Sequence, residues 1–309
     1  MIKYEEVSHR PEEFRSLTGL SVEEFDEVLH EIEQEYDAAE EERLARPNRR
    51  RRRGAGRKFR HDLCGRFLLF MVWLRVYPSY RVLGLLFDLD KSTICRNLKA
   101  MARLVQRVTS RALPDPGTDL GEDDLEVLEQ AFPGLLAILD ATEQRIRRPK
   151  DNDTQRLHYS GRKKMHTLKT QIVVNREGRI QQVSASVPGS VNDLTLGRQS
   201  EVDEQLPEDI ALQGDGGYQG MHKDNPQREV ILPQRKPRGG ELTPEQKEHN
   251  RRLSRVRVVV EHTLAHMKIF QALYQVYRHL RGSYTLIIEI VAGLVNRHRD
   301  HQVAATAPA

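Results

Sequence analysis

The chain has 309 residues, 38% of them hydrophobic, which is enough for two domains with a sizeable core. Its two cysteines, Cys64 and Cys95, fall in no CxxC or Cys/His spacing, which argues against a zinc site and fits a reduced intracellular protein. The longest apolar run, Phe67 to Val76, is too short to cross a bilayer and contains Arg75; the N-terminus is acidic, so no signal peptide is expected, and the protein reads as soluble.

The net charge of +4 hides a strong segregation. Residues 1–43 carry fifteen Asp/Glu against four Lys/Arg, whereas residues 44–60 carry nine Lys/Arg and no acid. Such asymmetry points to a polyanion docking at one part of the molecule. The acidic segment reads as helical, with Ser21 capping Val22 to Leu29. Its acid-rich remainder is either an exposed helix or a partner-binding face. An arginine-rich arm follows over 44–60: Arg49, Arg50, Arg51, Arg52 and Arg53, then Gly54-Ala55-Gly56-Arg57-Lys58. Clustered guanidinium groups beside glycines suit an arm that follows phosphates or enters a minor groove. A nuclear-localisation signal or a solvated linker has the same composition.

Residues 61–112 read as three helices, His61 to Tyr77, Ser79 to Phe87, and Thr93 to Thr109, the last capped by Ser92 after a short turn. On the third, Ile94, Leu98, Met101, Val105 and Val108 share one face, while Arg96, Lys99, Arg103 and Arg107 share another. This is a helix-turn-helix pattern with the third helix as reader. Thr93, Arg96 and Asn97 are expected at base edges, with Asn97 suited to adenine. A plain bundle with a solvated cationic stripe is the rival reading. Residues 113–134 form a linker rich in Pro, Gly and acids.

From 135 to 300 the pattern alternates. Strands are expected over 135–146, 167–175 and 179–187, with a hairpin turn at Arg176-Glu177-Gly178. A helix opens near Ser190, a fourth strand ends at Asp215, and a long helix begins at Thr243-Pro244-Glu245-Gln246, a capping box with proline at the first helical position. A further helix is expected from Tyr284 to Arg297. Three strands in a meander, a helix, a strand and a late helix give the order of an α/β RNase H-like domain: a mixed sheet flanked by helices, preceded here by the all-α helix-turn-helix domain.

Asp140 and Asp215 each end an apolar run, where an unpaired charge would be costly to bury, and Glu261 lies on the long helix. Carboxylates from separate elements can hold two divalent metals, and two metals can cut or join phosphodiesters. Ser254, Arg257, Glu261 and Lys268 fall on one face of that helix, although a surface ladder of ion pairs would look the same. Asp193 is a rival second carboxylate or a supporting residue. Lys163, Lys164 and Lys169, with Arg162, are expected to meet phosphates. His166 either orients a scissile phosphate or is a plain strand-end histidine. Gln234 to Arg238 is another cationic loop expected to face DNA.

Taken together, Leu139-Asp140-Ala141-Thr142-Glu143, Tyr159-Ser160-Gly161-Arg162-Lys163-Lys164, His166-Thr167-Leu168-Lys169, Asn192-Asp193-Leu194-Thr195, Gly214-Asp215-Gly216-Gly217-Tyr218-Gln219-Gly220 and Arg257 to Lys268 resemble the DDE-type insertion-sequence transposases, in the bacterial group related to Harbinger-type nucleases. The resemblance spans about residues 15 to 295. It implies that Asp140, Asp215 and Glu261 are the catalytic, metal-holding triad, and that Arg257 and Lys268 are the residues flanking the Glu. Where the family often has Tyr, three residues before the Arg, this chain has Ser254. The implied activity is Mg²⁺-dependent DNA cleavage and strand transfer with two ions, Mn²⁺ being a substitute. The implied partners are the terminal inverted repeats and target DNA, bound by a dimer or higher oligomer in the bacterial cytoplasm at the nucleoid. A domesticated host endonuclease and a non-catalytic DNA-binding regulator are the other two readings.

Overall fold

The computed structural model describes residues 1–45, 58–113, 136–200, 206 and 208–306. The arginines at 49–53 and 57, and nearly all of the expected linker, lie outside the described residues. The chain divides into two compact units, one of residues 1–112, 269–272 and 289–309, the other of residues 113–268 and 273–288. No helix among the described residues is long and apolar enough to cross a membrane.

The first unit is helical: α1 (Tyr4–Val7), α2 (Pro11–Thr18), α3 (Val22–Leu44), α4 (Leu63–Val76), α5 (Tyr80–Phe87) and α6 (Lys91–Thr109), with the later part of a C-terminal helix, Tyr284–Thr306. Ser21 caps α3 as its sequence predicts. Its hydroxyl accepts from the Glu24 N–H at 3.2 Å and the Glu24 carboxylate accepts from the Ser21 N–H at 2.7 Å, an arrangement worth about 1 kcal/mol. Residues 66–74 of α4 are buried without a break, so this helix is the centre of the unit rather than an amphipathic surface element. Tyr77 ends it in a left-handed conformation (φ 54°) just before Pro78.

The third predicted helix begins earlier than its sequence suggests. Asp90, not Ser92, is the cap, and its carboxylate accepts from the N–H groups of Ser92 (2.9 Å) and Thr93 (3.0 Å). The apolar face is as expected, with Ile94, Leu98, Met101, Val105 and Val108 all buried. The acidic face of α3 is largely spent inside the unit: Glu31 pairs with Arg297 at 2.7 Å, Glu35 with Arg111, and Glu42 with Arg107. Arg107 is thereby taken out of the cationic stripe. Gly293 lets the C-terminal helix approach α6 closely, since a Cβ there would lie 2.3 Å from the Thr109 carbonyl oxygen.

The second unit is built on a mixed sheet of β1 (Leu136–Arg145), β2 (Tyr159–Ser160), β3 (Met165–Val174), β4 (Ile180–Val183), β5 (Val187–Pro188), β6 (Ala211–Gln213) and β7 (Val230–Ile231). The order is β2-β3-β1-β6-β7, with β4 and β5 also on β3. Strand β1 is antiparallel to β3 and parallel to β6, and β6 is parallel to β7. The predicted hairpin turn is present, with Gly178 at φ 83° and its N–H on the Asn175 carbonyl. The predicted third strand is broken in two. Val183 pairs with Ile172 but Val187 pairs with Lys169, so the register slips by one residue, a bulge.

Helices α7 (Asn152–His158), α8 (Asp193–Gln199), α9 (Met221–Asp224) and α10 (Pro244–Lys268) complete this unit. Ala137, Leu139 and Val173 form a core on one face of the sheet with Ile210, Leu212, Tyr218 and Met221. The Thr243 capping box of α10 closes as expected: Gln246 N–H to Thr243 Oγ1 at 3.2 Å, and Thr243 N–H to Gln246 Oε1 at 3.0 Å. Among the bonds that fasten α10 within the unit, Gln213 Nε2 donates to the Leu253 carbonyl (3.0 Å) and Thr263 Oγ1 to the Gly178 carbonyl (3.0 Å).

Candidate active site

Strand alternation places Asp140 opposite in direction to the Leu139 core. It does not end β1, as its apolar run suggests, but stands mid-strand with Ile172 as its antiparallel partner. It escapes full burial because β6 stops at Gln213, level with Ile138. Between that level and Arg145, whose carbonyl accepts from the Tyr277 N–H, β1 pairs with β3, and chain leaving β6 brings Asp215 toward Asp140. Asp215 caps a 3-10 turn, Gly216–Tyr218, with its Oδ1 accepting from the Gly217 N–H at 2.7 Å. The glycine at 217 is required: a Cβ there would lie 2.3 Å from Asp193 Oδ2 and 2.8 Å from Asp215 Oδ1. Glu261 enters from α10, where Arg257 Nη2 stands 3.5 Å from its Oε1.

The electrostatics tie these groups together. Burial holds the Asp140 carboxyl above the usual carboxylate range; the Arg257 charge and the Ala141 N–H oppose that, and the charges of Asp215 and Glu261 add to it. The Tyr218 phenol is buried and held well above its ordinary value, first by burial and then by Asp193, Asp140 and Asp215. Burial lowers the Lys268 ammonium, Lys163 lowers it further, and Asp140 opposes the shift. The Nε of Arg257 is buried with no hydrogen-bond partner. The region therefore combines clustered carboxylates, whose repulsion a cation would relieve, with cations able to meet phosphate oxygens.

Among the described residues, no three His, Cys, Asp or Glu side chains close into a group that could hold a metal ion. The donor chemistry fits a hard divalent cation, since Asp140, Asp215 and Glu261 all offer carboxylate oxygens. The side-chain positions fit less well, because Glu261 is turned toward Arg257 and solvent.

The other sequence-predicted residues divide. Asp193 is buried at the start of α8, and its Oδ1 accepts from Lys169 Nζ at 2.8 Å. Lys169 is therefore not a phosphate contact. It also donates to the Val191 carbonyl at 2.6 Å and stands 4.0 Å from Glu143 Oε1, with its side chain 8% exposed. Breaking such a buried pair from one side costs about 3–5 kcal/mol. His166 is not beside Asp140. It lies six residues along β3 from Ile172, roughly 20 Å at the rise of a strand, with its ring edge-on to Tyr159. Lys163 and Lys164 are exposed on the turn before β3. Arg235, within the loop read as cationic, reaches the turn after Asp215 by donating to the Gly216 carbonyl at 2.8 Å. No motif singles it out from its basic neighbours.

In the first unit, Lys58, Arg96, Lys99 and Arg103 are exposed. Thr93 is half-buried and donates to Asp90 at 2.6 Å. The expectation that Asn97 reads adenine gives way. It is buried, its Oδ1 accepts from Arg66 Nε at 2.8 Å and its Nδ2 donates to the Arg66 carbonyl at 3.2 Å, so both ends of the amide are spent.

A mixed sheet flanked by helices, with acids from β1, the end of β6 and α10 within electrostatic reach, is consistent with a nuclease domain. Residues 139–296 match the family described as DDE superfamily endonuclease. The chain is 30% identical, over 92% of its length and 93% of the relative's, to a probable transposase for insertion sequence element IS702 from Microchaete diplosiphon. It is 31% identical to a putative nuclease HARBI1 from Rattus norvegicus, over 28% of this chain and 25% of that one. No solved structure matches the chain significantly. The chain belongs to the DDE superfamily endonucleases and is an enzyme of the nuclease and transposase type.

Proposed function

We propose that the protein is a DNA transposase that binds the terminal inverted repeats of its element, cuts at their ends and joins them to target DNA, as a dimer or higher oligomer on DNA. The observation that carries this reading is the placement of half-buried Asp140 on β1 just past the level where β6 ends, with Asp215 opening the glycine turn after β6 and Arg257 and Glu261 one turn apart on α10. The sheet order, with three antiparallel strands followed by two parallel ones, supports an RNase H-like catalytic domain over 135–300. Helices α5 and α6, joined through Asp88–Asp90, support a helix-turn-helix at 61–112, with Arg96, Lys99 and Arg103 toward DNA; the arm at 44–60 adds charge. The acidic segment 1–43 and the linker 113–134 complete the organisation.

Asp140 and Asp215 would hold Mg²⁺, with Glu261 joining them once released from Arg257. A divalent cation held there would supply Lewis-acid chemistry to the attacking and leaving oxygens. Arg257, freed from Glu261, and Lys268 present donors to a phosphate oxygen, and Lys163 and Lys164 hold the flanking backbone. Asp193 supports the Asp215 turn from behind.

The test is cleavage of DNA carrying the element's own terminal repeat in Mg²⁺. Wild type cuts it; Asp215→Asn binds it equally and does not cut. A wild-type protein that binds the repeat and cuts in neither Mg²⁺ nor Mn²⁺ is a DNA-binding regulator instead.

A further inference from the structure

We propose that Lys169, backed by Glu143, is a positioning residue that sets Asp215 through Asp193 and the glycine turn; this rests on the reading of Asp215 as a metal-holding carboxylate. Lys169 points from β3 into the protein. Its ammonium has the Asp193 carboxylate at 2.8 Å, the Val191 carbonyl at 2.6 Å and the Glu143 carboxylate at 4.0 Å. Glu143, directly across from Lys169 on β1, accepts from Thr167 Oγ1 at 2.7 Å. One cation thus clamps the segment entering α8 to the centre of the sheet.

The clamp reaches Asp215 by contact. With Oδ1 of Asp193 held by Lys169, its Oδ2 packs on Gly217, at a point where a Cβ would meet both Asp193 and Asp215. The Gly217 N–H is the donor that fixes Asp215 Oδ1. If α8 or Asp193 shifts, the turn that aims Asp215 loses its backing. Arg162, 3.8 Å from the same Asp193 oxygen, is exposed and supplies a weaker second cation from outside. Asp193 thus meets its surroundings with one oxygen on Lys169 and the other on the turn, the arrangement of a buttress. A residue behind a metal-holding side chain characteristically changes affinity or rate by about 10- to 100-fold.

The experiment compares full-length wild type with Lys169→Met, Asp193→Asn, Asp215→Asn and the double variant Lys169→Met/Asp193→Asn. Three quantities are read: repeat cleavage at saturating DNA, Mn²⁺ affinity by calorimetry without DNA, and the thermal midpoint. Lys169→Met, which leaves a buried carboxylate without its cation, is expected to cut about 10- to 100-fold more slowly and to bind Mn²⁺ more weakly, with DNA affinity unchanged. The double variant, with a neutral amide in place of the charge, is expected to recover the thermal midpoint and most of both losses. Lys169→Met matching wild type in cleavage and Mn²⁺ affinity overturns the positioning role while leaving the transposase reading intact, provided Asp215→Asn is inactive. Asp193→Asn losing Mn²⁺ as Asp215→Asn does overturns it in favour of direct ligation by Asp193. Should Lys169→Met not fold, the double variant decides: if it is folded but as inactive as Asp215→Asn, the proposal falls. Should wild type cut nothing, the functional reading fails, and Mn²⁺ affinity alone settles whether Lys169 positions the site.

Discussion

Arg257 Nη2 lies 3.5 Å from Glu261 Oε1, one turn back along α10, while the Arg257 side chain is largely buried and that of Glu261 is 57% exposed. The pair is a surface i,i+4 contact on the Glu side, worth about 0.3–0.5 kcal/mol. Glu261→Gln is therefore expected to leave the thermal midpoint nearly unchanged while abolishing DNA cleavage. A Glu261→Gln protein that cuts normally would remove Glu261 from the proposed triad.

Asp140 predicts a second separation of stability from activity. Its folded carboxyl is raised, chiefly by burial, so ionising it costs the metal-free folded protein free energy that the unfolded chain does not lose. At pH below the ordinary Asp value, about 3.9, both states are protonated and no cost exists. The cost opens as pH rises through that value and is full above the raised folded one. In EDTA at neutral pH, Asp140→Asn should melt higher than wild type, by about 2–4 °C for each kcal/mol released. The gap should close as pH falls through the Asp range. Added Mg²⁺ should raise the wild-type midpoint and leave that of Asp140→Asn where it was. A variant that melts lower than wild type in EDTA at neutral pH contradicts this account.

The parts of the molecule legible in the sequence are those fixed by neighbours along the chain. The Ser21 and Thr243 capping boxes, the Gly178 turn and the apolar face of α6 each depend on residues three or four apart. The parts that were not legible depend on distant partners. Asp140 stands mid-strand because β1 continues beside β3 to Arg145, and it stays partly exposed because β6, some seventy residues later, is short. Lys169 reads as one more cation in a basic cluster, yet the segment entering α8 and Glu143 on the neighbouring strand enclose it. Asn97, on a cationic helix, gave no sign that Arg66 on α4 would claim its amide. Strands of two residues, β2, β5 and β7, are too short to carry any period. Strand β3 is buried at every position from 167 to 174, so it shows no alternation to read.

Asn97 carries the third prediction. Because both its hydrogen bonds go to Arg66 inside the first unit, Asn97→Ala leaves a buried guanidinium short of an acceptor. The expected result is a loss of about 1–3 kcal/mol in urea unfolding, with the preferred base sequence of the bound DNA unaltered. A changed base preference at full stability would return Asn97 to the role of reader.

Lys99 tests whether α6 faces DNA at all. It is exposed on the side of α6 away from the buried Ile94–Val108 stripe, between exposed Arg96 and Arg103. Arg107, the fourth cation of that series, is held by Glu42 and should contribute little. A lysine that neutralises one phosphate releases counterions from the DNA, so its loss weakens binding to all sequences alike. Lys99→Ala should therefore lower affinity uniformly and reduce the slope of log K against log salt by about 1. Arg107→Ala should leave that slope unchanged. If the two variants behave alike, or Lys99→Ala leaves the slope untouched, the phosphate-facing side of the helix is not the one these cations define.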